Sequence, residues 1–190
     1  MTRWGSEGPP PEAYSRVSEP ERFRPLHNVA LRLLEQLRTE FKVDQFEGYG
    51  LDSELETVDL ARPSVRLVPR DPKAAPLAIA FTTFPGLKVR VGRWHTVAFP
   101  TCGCDACDET ANDEATRLAE LVDDVTAGRF REKLSVPLAG NGWQESESWS
   151  VRHRHLSRSQ IDRARAREML AVDGRSSIEW APWPRYETSG

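Results

Sequence analysis

The sequence predicts an α+β domain, a mostly antiparallel sheet with helices packed on one face. Three observations carry that expectation. Apolar residues recur at spacings of three and four in two stretches, Leu26 to Phe41 and Ala111 to Val125, which is the helical period. Between them lie short β-branched runs broken by Asp-Pro and Pro-Gly turn chemistry, the pattern of antiparallel strands. A chain of 190 residues, 38% hydrophobic with six Trp and seven Phe, has enough apolar material for one buried core.

Charge and hydropathy then narrow the function classes. The formal charge of -3, from 26 basic and 29 acidic residues, gives the whole molecule no preference for nucleic acid or an anionic membrane. The longest apolar run, Leu77 to Phe81, is too short to cross a bilayer, and Met1 to Ser6 lack the apolar segment of a signal peptide. A cytoplasmic protein without a membrane partner is expected. Residues 1–22, with Gly8-Pro9-Pro10-Pro11, read as an extended N-terminal arm carrying Tyr14 and Val17 as docking points and little of any site. Residues 23–190 read as a single α+β domain.

The elements follow in chain order. After Pro25, the positions Leu26, Val29, Ala30, Leu33, Leu34, Leu37 and Phe41 form one continuous face, the first helix. His27 beside that stripe reads as a packed side chain, not a ligand. From Val43 to Leu60 the period loosens, so a loop leading into a short segment is expected. Ser64 to Val68 is a strand closed by Pro69. Leu77 to Phe84 and Leu87 to Phe99 form a hairpin about Pro85-Gly86, and the odd positions of the return strand, His95 among them, share a face. A bulge at Gly92 would shift that phase and turn Trp94 inward instead, so both orientations of His95 stay open.

The second helix is expected from Ala111 to Val125 with Gly128 as its stop, and Asp108, Glu109, Asp113 and Glu114 around its positive end. Lys133 to Leu138 and Glu147 to His155 read as strands about Gly140-Asn141-Gly142. Trp149, Val151, His153 and His155 then share a face. Ser157 or Ser159 caps a helix ending near Leu170. The tail, with Trp180 and Trp183, is expected to dock on the body.

All three cysteines fall in Cys102-Gly103-Cys104-Asp105-Ala106-Cys107, between the hairpin and the second helix. Neighbours this close make no conventional disulfide framework, so reduced thiols or metal thiolates are expected. A structural zinc takes four ligands, usually thiolate or imidazole, and one tight turn delivers several of them. Cys102, Cys104 and Cys107 fill three places, and His95 is the first candidate for the fourth, followed by His153 or His155. A full zinc ribbon needs a second cysteine pair that the chain lacks, and an iron-sulfur cluster normally needs four cysteines. The same Cys-x-x-Cys also fits thiol chemistry by Cys104 and Cys107 near a helix start. Against it, Asp105, Asp108 and Glu109 surround the thiols with negative charge. Inert packing of a strand-to-helix corner remains the plainest alternative.

One basic region stands out: Arg152, Arg154, Arg158, Arg163, Arg165 and Arg167. With Trp143 and Trp149 nearby it resembles a phosphate or nucleic-acid patch. Asp162 and Glu168 interrupt it, so a solvated or salt-bridged helix face is favoured and nucleic acid is disfavoured as a partner. His153 and His155 form a His-x-His pair able to chelate, but no third ligand is placed by the sequence. No serine nucleophile elbow, phosphate-binding glycine loop or paired histidine-glutamate zinc helix is present, so no catalytic residue is assigned.

Gly92-Arg93-Trp94-His95, Ala98-Phe99-Pro100, the Cys102-to-Glu109 block and Leu121 to Phe130, with Pro20 to Leu26 upstream, resemble an uncharacterised family of small actinobacterial proteins, a domain of unknown function. The resemblance covers most of the chain and implies a bacterial, cytosolic protein. It brings no activity to carry over. The functional expectation is a small binding or interaction protein with zinc at the corner. The alternatives are a thiol-dependent enzyme or redox sensor, and nucleic-acid binding through the arginines.

Overall fold

The first apolar stripe forms α1 (Pro25–Glu40) in a computed structural model that describes residues 4–187 other than 53, 54, 56, 152 and 173. Pro25 opens the helix at a position where its missing N–H costs nothing. Leu26, Ala30, Leu34 and Leu37 face inward at spacings of four, four and three. That face packs on a five-stranded antiparallel sheet in the order β1-β2-β3-β4-β5, made of β1 (Val43–Gly48), β2 (Leu60–Pro69), β3 (Leu77–Thr82), β4 (Leu87–Val91) and β5 (His95–Phe99).

The expected loop after Val43 is instead the edge strand β1, paired residue for residue with β2 from Val43 opposite Pro69 to Gly48 opposite Ser64. Only Val43 of this strand is buried, so there was no apolar alternation for the sequence to display. The Pro85-Gly86 hairpin is present as expected, with Phe81 opposite Leu87. Its return strand is broken: β4 stops at Val91, a turn follows, and β5 restarts at His95 opposite Val91. Gly92 takes φ +62°, and Trp94 is turned inward at 4% exposure.

The second sheet is also antiparallel, in the order β8-β7-β6-β9, built from β6 (Phe130–Ser135), β7 (Gly142–Trp149), β8 (Arg154–Ile161) and β9 (Ser177–Glu179). The segment expected as one strand to His155 therefore turns back after Trp149. Residues expected to begin a helix at Ser157 or Ser159 continue as β8. The helix, α3 (Arg163–Ala171), starts later, where Asp162 accepts hydrogen bonds from the N–H groups of Ala164 and Arg165 at 2.9 and 3.1 Å. α2 (Ala111–Thr126) lies between the two sheets' elements, contacting α1 and β7. Thr110 caps it by accepting from Asp113 N–H, so Asp108 and Glu109 precede the helix.

One core joins α1, the first sheet, Leu118, Val122 and Val125 of α2, Phe130 and Trp183. Phe23, Phe81, Phe99 and Phe130 are fully buried, each contributing about 1.5–3 kcal/mol relative to exposure. The tail docks as expected: Trp183 stands edge-on to Phe41 at 5.6 Å and donates its indole N–H to Ala75 C=O at 2.9 Å.

The two sheets are tied by Glu132 of β6. Its buried carboxylate accepts the backbone N–H groups of Arg93, Trp94 and His95 at 2.7–2.8 Å and the Trp180 indole N–H at 3.0 Å. A side chain at Gly92 would collide with this carboxylate and with Trp180, which is why the turn needs glycine. Burial holds the Glu132 pKa above the usual carboxylate range even against the four donors.

Candidate metal centre

The cysteine loop is a turn without a ladder of its own, and its backbone is held from three directions. Gly103 takes φ +74°, and a Cβ there would stand 3.0 Å from the Phe84 ring and 3.2 Å from Pro100. The Glu109 carboxylate accepts the N–H groups of Cys102 and Gly103 at 3.3 and 3.0 Å. That is its role here, in place of the helix-terminal one the sequence suggested.

The third clamp is the N-terminal segment, where the sequence suggested little of the site. It carries three short 3-10 turns, Gly5–Glu7, Pro11–Tyr14 and Pro20–Phe23. Between and beside these turns it hydrogen-bonds the loop. Asp105 N–H donates to Arg16 C=O at 2.8 Å and Ala106 N–H to Ala13 C=O at 3.1 Å. Trp4 donates its indole N–H to Asp105 C=O, and the Arg22 guanidinium reaches Gly103 C=O at 3.0 Å.

Asp105 is the centre of this contact. Its fully buried carboxylate accepts the Ser18 hydroxyl at 2.6 Å, the Ser18 N–H at 2.9 Å and Arg16 Nε at 2.8 Å. The Ser18 hydroxyl and N–H, then Arg16, hold its pKa well below the ordinary carboxylate range. Its charge is thus matched by the arm, whereas the sequence had suggested that it burdens the thiols. No local signal could have revealed these partners, because they lie more than eighty residues upstream.

The clamps gather the sulfurs of Cys102, Cys104 and Cys107 to within 4.8 Å of one another. Cys104 is buried, and Cys102 and Cys107 are exposed. The Sγ atoms of Cys104 and Cys107 are 3.4 Å apart, close to the roughly 3.8 Å that two thiolates take on one tetrahedral ion with bonds of about 2.3 Å. The Cys102 side chain holds the Cys104 pKa below its usual value. Cys104, then Cys102, push Cys107 up to about 12. The sulfurs share one another's hydrogen bonds at the expense of Cys107, so full thiolate character at all three needs a cation to share the charge.

His95 is not brought to the cysteines. It stands at the start of β5, and the cysteine loop begins beyond the far end of that strand, about 13 Å further along at some 3.3 Å per residue. Its ring Nδ1 lies 2.7 Å from Ser146 Oγ on β7 and packs against Phe130. Burial lowers its pKa to about 4. Among the described residues, no histidine, aspartate or glutamate joins the three sulfurs as a fourth ligand.

The basic patch is divided between β8 and α3. Arg154 pairs with Glu147, Arg158 with Glu145 at 3.0 Å, and Arg165 with Glu168 at 3.3 Å. Arg158 also lies 4.0 Å over the Trp143 ring, occupying an aromatic face that a base would use. Arg163 and Arg167 lie on α3, and Arg152 lies outside the described residues. No helix among the described residues is long and apolar enough to cross a membrane.

Fold and site together define a two-sheet antiparallel α+β protein with a three-cysteine loop able to hold a metal. The chain belongs to the family of unknown function DUF6226, whose model matches residues 1–187. No curated protein and no solved structure matches it.

Proposed function

We propose that the protein is a small metal-dependent binding protein in which Cys102, Cys104 and Cys107 hold one zinc ion. The observation that carries this reading is the convergence of three sulfurs on a turn whose backbone is fixed independently of them. Thiolates in this number suit zinc among the abundant divalent ions. With two of the three cysteines exposed, the fourth position is open to water or to a donor from a partner, the arrangement that lets a metal take part in binding. His95 is not used.

The test is elemental analysis of protein prepared without a histidine tag. One zinc per chain, lost in Cys104→Ala, is the expected result. A metal-free parent whose melting temperature is indifferent to added zinc and to chelator overturns the reading.

A second reading draws on the 3.4 Å separation of Cys104 and Cys107 and on the opposite displacement of their pKa values. A low-pKa thiol beside a high-pKa one is the asymmetry of a thiol-exchange pair. It predicts rapid alkylation of one thiol below about pH 8, which bound zinc would suppress. Uniformly slow alkylation of metal-free folded protein excludes it.

A further inference from the structure

A carboxylate from α2 supplies the third ligand that the His-x-His pair lacks in the sequence. Glu120 offers an oxygen within 4.8 Å of a ring nitrogen of His153 and of His155, and those two nitrogens are equally close to each other. The imidazole centroids are 4.8 Å apart with the rings tilted by 49°. Neither the Glu120 carboxylate nor the His155 ring has a hydrogen-bond or ion-pair partner among the described residues. A carboxylate and two imidazoles thus converge with two of the three uncommitted.

His153 is the oriented member. Its Nδ1 lies 3.0 Å from Ser150 Oγ, and its Nε2 lies 3.0 Å from Oδ2 of Asp124. The Asp124 carboxylate is buried and also accepts from Arg129. Glu120 and Asp124 are four residues apart on α2, so the helix presents both to the histidines from one face. A metal on either nitrogen of His153 displaces one partner, and the other keeps the ring and its tautomer fixed. A ligand histidine braced by a buried carboxylate is a recurrent second layer of metal sites.

We infer that Glu120, His153 and His155 form a metal site, separate from the cysteines, for a divalent first-row transition ion such as zinc. Two nitrogens and one oxygen select against magnesium and calcium, which prefer all-oxygen surroundings. Three protein ligands leave further positions open. His155 also lines a cavity of about 540 Å³ shared with His95, Phe99, Arg117, Ser146 and Ser148, so a second ligand on the ion has room beside it.

The experiment is a zinc titration of the full chain with ¹⁵N-labelled histidine, read on the imidazole signals of its four histidines. Saturable shifts of His153 and His155, with His27 and His95 unmoved, are expected. Glu120→Gln and His155→Ala should each weaken zinc binding at this site by about tenfold or more. Both side chains lack partners, so neither change should unfold the protein. Metal at the cysteines reports instead through cysteine ¹³Cβ shifts, which keeps the two sites distinguishable. Unmoved His153 and His155 signals at millimolar zinc, or a shift whose affinity Glu120→Gln leaves at the parental value, overturn the inference.

Discussion

Among the described residues, two clusters of side chains able to ligate a metal lie at α2, and they owe their shape to opposite kinds of support. The cysteine loop lies just before the helix, on a turn with no strand partner. It relies on borrowed clamps: Glu109 from its own end, and Arg16, Ser18 and Arg22 from the N-terminal segment. The Glu120 cluster lies towards the other end of the helix, with Glu120 on α2 and His155 on β8, which pairs with β7 along its whole length; His153, on the turn just before β8, is braced by Ser150 and Asp124. A cluster on a turn must have its backbone fixed group by group, because unpaired peptide groups are free to rearrange. A cluster whose outer members stand on a helix and a paired strand inherits most of its rigidity, and only the residue on the turn, His153, needs side-chain braces.

The largest expected effect that tests this contrast is on the cysteine side. If zinc completes the turn, Cys104→Ala abolishes its stoichiometric binding. Removing metal held at about 1,000 times its dissociation constant withdraws about 4 kcal/mol. That corresponds to a fall in Tm of roughly 8–16 °C for a chain of this size, measured by calorimetry with and without chelator.

Next is the joint between the sheets. Glu132→Gln sets an amide NH₂ against N–H donors that now converge on the carboxylate, and should cost about 3 kcal/mol in denaturant unfolding. It should disturb His95 and the β7–β8 side while leaving zinc at the cysteines, a separation that elemental analysis checks.

The pH dependence of the same joint is of similar size. His95 has a folded pKa of about 4 against an ordinary value of 6.5. The unfolded chain therefore binds its proton first as the pH falls. The His95 contribution is complete above about pH 6.5, declines between pH 6.5 and 4, and levels off below, a loss of up to about 3 kcal/mol, against which the raised pKa of Glu132 works with the opposite sign. Urea midpoints across this range should show the decline, and His95→Gln should flatten it.

Smaller again is the arm. Ser18→Ala removes a hydroxyl donor from the buried Asp105 carboxylate and should lower Tm by a few degrees while exposing the N-terminal segment to protease, with zinc still bound. Smallest is Glu120→Gln. It should move unfolding by no more than about 0.5 kcal/mol and leave cysteine-bound metal unchanged, though it weakens zinc at the histidines.

Much of this molecule is legible in its sequence. The α1 stripe, the Pro85-Gly86 hairpin and the helix after the cysteines rest on local period or local turn chemistry, and the docking of Trp183 on the tryptophan content of the tail. The errors share a cause as well. β1 is an exposed edge, so its side chains carry no alternation. β8 is exposed along almost its entire length, so its serines carry no strand alternation and read as helix caps. The arginines are a different case: the acids interrupting them favoured a solvated or salt-bridged face, and Arg154, Arg158 and Arg165 do pair with carboxylates across the strand and along the helix.

What the sequence by itself determined is the class of fold, the turn that carries three cysteines and the helix that follows it, because each is written within a few residues. Only the tertiary structure decided which side chains serve that turn and which do not. It sent His95 to Ser146, brought Ser18 and Arg16 to Asp105, and set Glu120 against His153 and His155. These pairings join residues far apart in the chain, and they follow from the path of β5, the course of the N-terminal segment and the packing of α2 against α1 and β7, which no local pattern of residues encodes.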